Sequence, residues 1–448
     1  MPSACLDDVL LHALTDANPP ALCVAYSGGP DSTALLHALA QLPGARARGL
    51  HAVHVDHGLH PESGHWAAQC QRFCEALDVP LLNVPVRVDD SRGEGIEAAA
   101  RHARRVAFAK ALRVNEWLAL AHHRDDQIET VMLKLLRGAG PEGLGGMRTL
   151  RPFGPGFLWR PLLDLPRAVL RDYVAAHDLP YIEDPANDDP RFSRNVLRGE
   201  ILPRIDVHWP HAGTSILHSA QLCRTAAAHL AREAESAVGE LRRAGETLDA
   251  DGWLALPTAL RVPALHQWLR ERGLPVPSDA QFRQLQHQAA HAVEDALPCV
   301  GWPGAEVRVW DGRLHATPPL AATPGDWTSA WHGEPLRLPA DCGTLAAIPQ
   351  APGTSSTLAA FNPPLRVCLR RGGERIRPAG DPHTRELRDL FQQARMPPWL
   401  RERCPLIHAD DELIAVGDSW ISERGMAFFE ALGLRPCWHR PPWAARSG

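Results

Sequence analysis

Between residue 21 and about residue 136 the chain alternates short aliphatic runs with stretches whose apolar positions recur every three to four residues. The runs ALCVAY (21–26), GLHAVHVDHG (49–58), PLLNVPVRV (80–88) and EWLALAHH (116–123) have the length and composition of buried strands. Each is followed by a helical pattern: STALLHALAQL (32–42), SGHWAAQCQRFCEAL (63–77), GIEAAARHARRVAFAKAL (95–112) and DDQIETVMLKLLRG (125–138). Strand and helix alternating at this spacing predict βαβ units with right-handed crossovers, hence an α/β fold built on a doubly wound parallel sheet. Ligands of such sheets bind beyond the carboxyl ends of the strands, where the polar clusters of this region fall.

After Gly138 the pattern weakens into Gly- and Pro-rich sequence, recovers in a helix over LPRAVLRDYVAAHDL (165–179), and ends in the polar stretch EDPANDDPRFSRNVLRGEILPRI (183–205). Ala-rich helical periodicity then runs to about residue 292, and AEVRVWDGRLHAT (305–317) reads as a hairpin turning on Asp311-Gly312. These breaks predict a first domain over 1–212, a mainly helical domain over 213–325, a Pro-rich linker over 326–364 and a small α+β C-terminal domain over 365–448.

Length supports this division, since 448 residues exceed what one core holds. A hydrophobic fraction of 45% and a charged fraction of 22% are those of a globular protein. The first residues are acidic where a signal peptide is basic, and no apolar run approaches the roughly 18 residues that span a bilayer, so a cytoplasmic protein is expected. Ten scattered cysteines without a C-x-x-C pair fit reduced thiols, and Cys70 and Cys74 read as small apolar helix residues. Lys110 and Lys134 are the only lysines, so nearly all positive charge is guanidinium, and a net charge of −5 leaves room only for a local basic patch.

The stretch YSGGPDST (26–33) joins the first strand to the first helix. A glycine turn there gathers backbone N–H groups and the positive end of the helix dipole, which makes an anion site; Gly28 and Gly29 admit phosphate where a Cβ would not. The plain alternative is a tight turn with Asp31 or Ser32 as helix cap. Neither the lysine of the common P-loop nor a G-x-G-x-x-G is present. A carboxylate inside the cradle, Asp31, predicts Mg²⁺ bridging it to phosphate oxygens.

SGGPDS resembles the signature loop of the PP-loop ATP pyrophosphatases (adenine nucleotide alpha hydrolase-like), which cleave ATP between the α and β phosphates and attach AMP to a substrate oxygen. HVDHGLHPES (54–63), EAAARHAR (97–104), AHHRDDQIETVMLKLLRGAGPEGLGGM (121–147), RPLL (160–163) and DPANDDPRFSRNVLR (184–198) resemble, in order, the motifs of the tRNA(Ile)-lysidine synthetase family, and residues 370–407 are similar to its terminal domain. The resemblance implies ATP and Mg²⁺ as cofactors, tRNA(Ile) with a CAU anticodon and free L-lysine as partners, no DNA and no membrane, with a homodimer left open. It also implies the reaction: ATP adenylates the C2 oxygen of the wobble cytidine, and the lysine ε-amine displaces AMP. The product, lysidine, switches decoding from AUG to AUA.

On this reading Ser27, Gly28, Gly29, Pro30, Asp31 and Ser32 form the phosphate cradle, with Asp31 as the metal ligand. Asp56, ending the second strand, is assigned a catalytic or lysine-binding role against that of a turn cap. Glu97, Arg101 and Arg104 share one helical face, either a solvated ion-pair stripe or a phosphate or RNA contact. Of His122 and His123 one faces the substrate; adjacent strand residues point to opposite faces, which argues against a shared zinc. Asp126 caps its helix or helps hold Mg²⁺, and Glu129 on the same face takes the lysine ammonium. Asn187, Arg191, Arg194, Asn195 and Arg198 form a polar stretch that borders the active site in the family, with Arg194 and Asn195 reaching RNA or triphosphate. Ala186 and Arg105 depart from the family pattern, which has serine and an aromatic there. Ten arginines between Arg366 and Arg403, Arg371, Arg375 and Arg377 among them, read as a tRNA-binding patch, while Phe391 and Trp399 read as core. A tRNA thiolase is the competing enzyme, opposed by the missing C-x-x-C; a non-catalytic tRNA-binding protein is opposed by the intact SGGPDS with Asp31 and Asp56.

Overall fold

The computed structural model describes residues 5–58, 60–88, 96–185, 189, 191, 193–292, 297–350, 361–441 and 443–444, with 96–98 by backbone alone. Two compact units divide between Ala228 and His229. In the first, β1 (Leu22–Ala25), β2 (His51–Asp56), β3 (Leu81–Pro85), β4 (Trp117–Ala119), β5 (Leu150–Phe153) and β6 (Gly156–Trp159) form one sheet in the order β3-β2-β1-β4-β6-β5. All neighbours are parallel except the β5–β6 hairpin at the edge.

The period of two along the strands sorts the core into two layers. Leu22, Val24, Ala52, Trp117 and Ala119 join the cluster that contains buried residues of α1 (Leu6–Ala17), α2 (Pro30–Gln41), α4 (Ser63–Ala76) and α8 (Arg167–Ala176). Their strand neighbours Cys23, Val53 and Leu118 pack on the other face with Phe108 and Leu112, at the end of α5 (Ile96–Ala111) and just after it. Between α2 and β2 lies the short α3 (Pro43–Arg46). The parallel sheet covered on both faces is the one the alternating pattern predicts.

From β1 the chain moves outward to β2 and β3 on one side, then returns to place β4 on the other. The carboxyl ends of β1 and β4 therefore face each other across the point where strand order reverses, which opens a crevice. The β1–α2 turn and the start of α6 (Arg124–Leu136) both lie there. After α6 and the short α7 (Pro141–Leu144), the backbone of Met147 is clamped from both sides: its carbonyl accepts from Gln127 Nε2 at 2.8 Å and its N–H donates to Gln127 Oε1 at 2.7 Å. Following α8 come α9 (Ser193–Val196), a π-turn over Leu197–Ile201, α10 (Leu202–His208) and the 30-residue α11 (Ala212–Leu241).

The second unit begins within α11, whose last part it includes, followed by β7 (Arg242–Arg243) and β8 (Thr247–Asp249), then α12 (Ala250–Ala255), α13 (Thr258–Glu271) and α14 (Asp279–Ala290), and continues with β9 (Cys299–Trp302), β10 (Ala305–Trp310) and β11 (Arg313–Thr317). The five strands form an antiparallel sheet, β7-β8-β11-β10-β9, over a core with Trp253, Leu265 and Trp268. Asp311 and Gly312, at φ of 50° and 68°, turn the expected hairpin in the left-handed region that a type I′ turn requires. The stretch expected to be mainly helical thus also holds a complete sheet.

The remainder packs β12 (Thr328–Trp331), β13 (Leu336–Arg337), β14 (Thr344–Pro349), β15 (Leu365–Cys368), β16 (Arg375–Ile376) and β17 (Arg385–Glu386) with α15 (Leu387–Gln393) and α16 (Pro398–Arg401). It closes with β18 (Leu406–Ala409), β19 (Glu412–Val416), β20 (Trp420–Ile421), α17 (Glu423–Ala431) and β21 (Leu434–His439). The segment 326–364, expected as a linker, supplies β12, β13 and β14, and this corrects the sequence reading. β12 pairs with β15 and β14 with β21, so the partners that make these short, Pro-interrupted runs into strands are distant in sequence. Among the described residues, no helix is long and apolar enough to cross a membrane.

Trp331 tests the corrected assignment. It is fully buried, donates from Nε1 to the Glu334 carbonyl at 2.7 Å and meets Phe361 edge to face at 5.2 Å. Trp331→Ala should cost about 3–5 kcal/mol in urea unfolding of the full chain, whereas a tryptophan on a mere linker would cost less than about 0.5 kcal/mol.

Candidate active site

The turn after β1 is shaped by one residue that must be glycine. Gly28 has φ of +84°, and a Cβ there would lie 2.4 Å from Ile182 Cδ1 and 2.9 Å from Cys70 Sγ. Its carbonyl accepts from Ile182 N–H at 2.9 Å and from Thr33 Oγ1 at 3.3 Å. Gly29 is the extended N-cap of α2 and Pro30 its first residue, a position where the missing N–H costs nothing. Neither Asp31 nor Ser32 caps the helix by side chain, contrary to the plain alternative. Ser32 Oγ instead donates to the Gly29 carbonyl at 3.0 Å and accepts from Ser27 N–H at 3.3 Å, while the Ser27 hydroxyl lies 3.0 Å away. The helical ladder starts with Thr33 N–H to Gly29 C=O at 3.0 Å, so the earlier amides of α2 face out of its end.

Asp31 is turned from this end toward the start of α6. Its Oδ2 lies 3.6 Å from His123 Nε2 and 3.7 Å from Arg167 Nε, while its Oδ1 is buried and accepts no hydrogen bond. Burial alone would raise the Asp31 carboxyl; the His123 hydrogen bond and the charges of Arg167 and Arg171 outweigh it and bring it below the ordinary carboxylate value. His123 is 1% exposed and is the N-cap of α6: its Nδ1 accepts from Asp126 N–H at 3.3 Å, and Asp126 Oδ2 accepts from His123 N–H at 3.2 Å. With Nδ1 accepting, the proton of the neutral ring sits on Nε2, between Asp31 Oδ2 and Asp126 Oδ2, the latter 3.4 Å away.

A second layer of charge surrounds this axis. Glu129, 1% exposed, is held by Arg198 Nε at 2.6 Å and Arg194 Nε at 3.1 Å, and Arg198 Nη2 also reaches Asp126 Oδ1 at 3.3 Å. The carboxylate expected to hold a lysine ammonium is thus already paired with two guanidinium groups. Burial would lower the Arg198 guanidinium, but Glu129, Asp126 and Asp31 together raise it. His122 and His123 lie in the loop after β4, and His122 accepts from Arg160 Nε at 3.2 Å. Burial, with Arg160, Arg194 and Arg101 nearby, pushes His122 down to about 4, and burial with Arg151 and Arg101 brings Arg160 to about 10.

Asp56 ends β2, next to β1, and its Oδ1 accepts from Gly58 N–H at 2.9 Å, so the turn-cap role is present. Arg101 acts electrostatically on His122 and Arg160, and Arg104 on His57. Asn195 Nδ2 donates to the Asp189 carbonyl at 2.9 Å, and Arg191 pairs with Asp189 in solvent. Asn187, Ala186 and the Glu97 side chain lie outside the described residues. Arg160 and Arg167 were given no role from sequence; a basic pair such as Arg167 and Arg171 on an amphipathic helix carries no signal beyond solvation.

In the second unit Arg371, Arg375 and Arg377 are exposed, Arg371 donating to the Gly325 carbonyl and Arg377 to the Asp381 carbonyl. Arg403, counted in the basic patch from sequence, is buried and donates to the carbonyls of Trp399 and Ala321, so it serves packing. Phe391 and Trp399 are core.

Residues 5–205 match the family model of the PP-loop domain, 248–315 that of the TilS substrate binding domain and 365–438 that of the TilS substrate C-terminal domain. The protein named tRNA(Ile)-lysidine synthase in Xanthomonas campestris pv. campestris is 41% identical over 435 residues, covering 97% of this chain and 98% of that one. The chain belongs to the tRNA(Ile)-lysidine synthase family. The synthase so named in Xanthomonas axonopodis pv. citri is 43% identical over 420 residues (93% and 94% of the two chains), and that in Coxiella burnetii 37% over 425 residues (94% and 93%).

The residues present suit a magnesium–triphosphate. Asp31 Oδ1 is an orphaned buried oxygen at the end of an amide-lined helix. Among the described residues no three His, Cys, Asp or Glu side chains converge as a metal cage, so phosphate oxygens would have to complete the coordination. Gly28→Ala should lower stability by about 1–3 kcal/mol and weaken ATP binding, read by urea titration and nucleotide-dependent thermal shift. Because His122 holds its folded value near 4, the unfolded chain takes up its proton first as pH falls from about 6.5. Stability contributed by neutral His122 is complete above 6.5 and declines toward 4, and His122→Asn should flatten that part of the unfolding-midpoint profile.

Proposed function

We propose that the chain attaches free lysine to C2 of the wobble cytidine of tRNA(Ile) with a CAU anticodon, through an adenylated cytidine, releasing diphosphate and then AMP. The observation that carries this reading is the likeness to proteins named tRNA(Ile)-lysidine synthase along nearly the whole chain. The cradle and its carboxylate cluster at the strand-order reversal are consistent with it.

In this reading the triphosphate lies along Ser27–Ser32, against the free amides of α2. Mg²⁺ at Asp31 would neutralise charge gathering on the leaving diphosphate. The cytidine C2 oxygen attacks the α-phosphorus, and the bond from that phosphorus to the bridging oxygen breaks with its electron pair leaving on diphosphate. Arg101 and Arg194 supply fixed positive charge where that negative charge develops. His123 acts as a positioning residue, aiming the Asp31 carboxylate. The unprotonated ε-amine of lysine then attacks C2 and AMP departs with the carbon–oxygen pair. Glu129, exchanging one of its arginines, draws in the lysine ammonium; Asp56 lines the same crevice. Arg104 and Asn195, with Asn187, contact RNA or triphosphate, and Arg371, Arg375 and Arg377 track RNA phosphates. The reaction would run in the cytoplasm, with ATP, lysine and tRNA at hand.

Pure protein given ATP, radiolabelled lysine and unmodified tRNA(Ile) with a CAU anticodon should transfer label to RNA, with AMP and diphosphate formed in equal amounts. Asp31→Ala should keep tRNA binding and lose about 10²–10³-fold in rate. No label in RNA, together with turnover on a sulfur donor, would install the thiolase reading in its place.

A further inference from the structure

The second unit contains a cleft of about 310 Å³ between the β10–β11 hairpin and the α15–α16 segment. Three aromatic rings wall it: Trp310 and Trp399 meet edge to face at 6.1 Å, and His315 lies 5.7 Å from the first and 5.0 Å from the second. Trp399 is core, whereas Trp310 is partly exposed.

The polar groups of this cleft are incompletely matched. His315 is bonded to the Trp310 backbone, and its Nε2 is buried with no partner. A bond that favours the protonated ring is one donated to a carbonyl, so Nδ1 is the donor and Nε2 a bare acceptor. Burial pushes His315 down to about 4, which keeps the ring neutral near pH 7. Arg272 donates from Nη1 to the Glu246 carbonyl and from Nη2 to the Ala316 carbonyl, both at 3.1 Å, and its buried Nε–H has no acceptor. At the mouth Arg313 and Arg395 add positive charge, Arg395 being only loosely paired with Asp311 at 3.4 Å.

An aliphatic ligand would leave Nε2 and the Arg272 N–H unmatched. A heteroaromatic ring whose Watson–Crick edge carries an exocyclic amine beside a bare ring nitrogen, as in adenine and cytosine but not in guanine, whose amine adjoins N1–H, supplies a donor for one and an acceptor for the other, and offers a π-face to tryptophan. Phosphates flanking such a ring would meet Arg313 and Arg395. We propose that this cleft receives one unpaired, amino-bearing nucleobase, adenine or cytosine, of the RNA substrate. A base inside a duplex presents no free face, so the base comes from a loop or an end. The proposal rests on the reading of the chain as a tRNA-modifying enzyme and adds a base-specific site to it.

The test is abasic interference. Transcripts of tRNA(Ile), each lacking one base at a random position, are separated into bound and unbound pools by the full-length protein, and the missing bases are mapped. Loss of one unpaired adenine or cytosine should weaken binding about 5- to 150-fold. That signal should vanish with His315→Leu and with Trp310→Leu, each checked for unchanged circular dichroism, while other positions keep theirs. If one variant does not fold, the other decides. An interference map unchanged in a folded variant overturns the proposal, as does a sensitive base that is uracil, guanine or paired. Saturable binding of free adenosine or cytidine that depends on His315, with no base-specific interference, also overturns it in favour of a free-nucleoside site. Lysine attachment to intact transcript by the wild-type protein is scored alongside: its failure sinks the lysidine reading, whereas normal attachment with an unchanged map sinks only the base site.

Discussion

The site depends on one imidazole held between two carboxylates. His123 ties Asp126, in the first turn of α6, to Asp31, in the first turn of α2. Those helices come after β4 and β1, which a parallel sheet makes neighbours although nearly a hundred residues separate them in sequence. The hydrogen bond from Asp126 N–H fixes the ring's tautomer, and the tautomer fixes which edge meets Asp31. Local helix capping and the aim of a distant carboxylate are therefore one constraint, so a change at the α6 cap is felt in the cradle.

Electrostatics reinforce that geometry. Asp31, Asp126 and Glu129 are matched by Arg167, Arg194 and Arg198, which lie within ion-pairing distance of them. Buried or half-buried, such charges are tolerated only as a set, because each loses hydration that its partners must replace. His122, pushed to the neutral form by burial and nearby guanidinium groups, and Arg160, brought down only to about 10 and so still charged near pH 7, line the adjoining wall. The carboxylates of the crevice are thus each matched by guanidinium groups while amides without acceptors remain, an arrangement suited to admitting a polyanion together with a cation.

How much could be read from sequence was set by the range of the interactions involved. β1–β4 and their helices were legible because apolar periodicity is local, and the turn between β1 and α2 because glycine and proline at a strand–helix junction have few other uses. The Asp311-Gly312 hairpin was legible for the same reason. The β5–β6 hairpin was hidden in Gly- and Pro-rich sequence: Gly154 turns it at φ of +54°, and at Gly156 a Cβ would overlap the Glu116 carbonyl, so the glycines that suggested a loop are those that let an edge strand in. β12 and β14 were illegible because their partners lie far along the chain. Arg167 looks like a solvated helix residue until the fold brings Asp31 to it. Arg403 shows the converse error, a buried charge whose two terminal nitrogens donate to backbone carbonyls.

The π-turn at Leu197–Ile201 has a bearing on how the chain can vary. Leu202 N–H reaches back five residues to the Leu197 carbonyl, so this turn holds one residue more than an α-helix would. Removing that residue would rewind the segment and rotate α9 by about 100° relative to α10. Arg194 and Arg198 would then leave Glu129. Side-chain identity around this turn is therefore freer to drift than its length, and insertions or deletions here should be rarer than exposure alone would suggest.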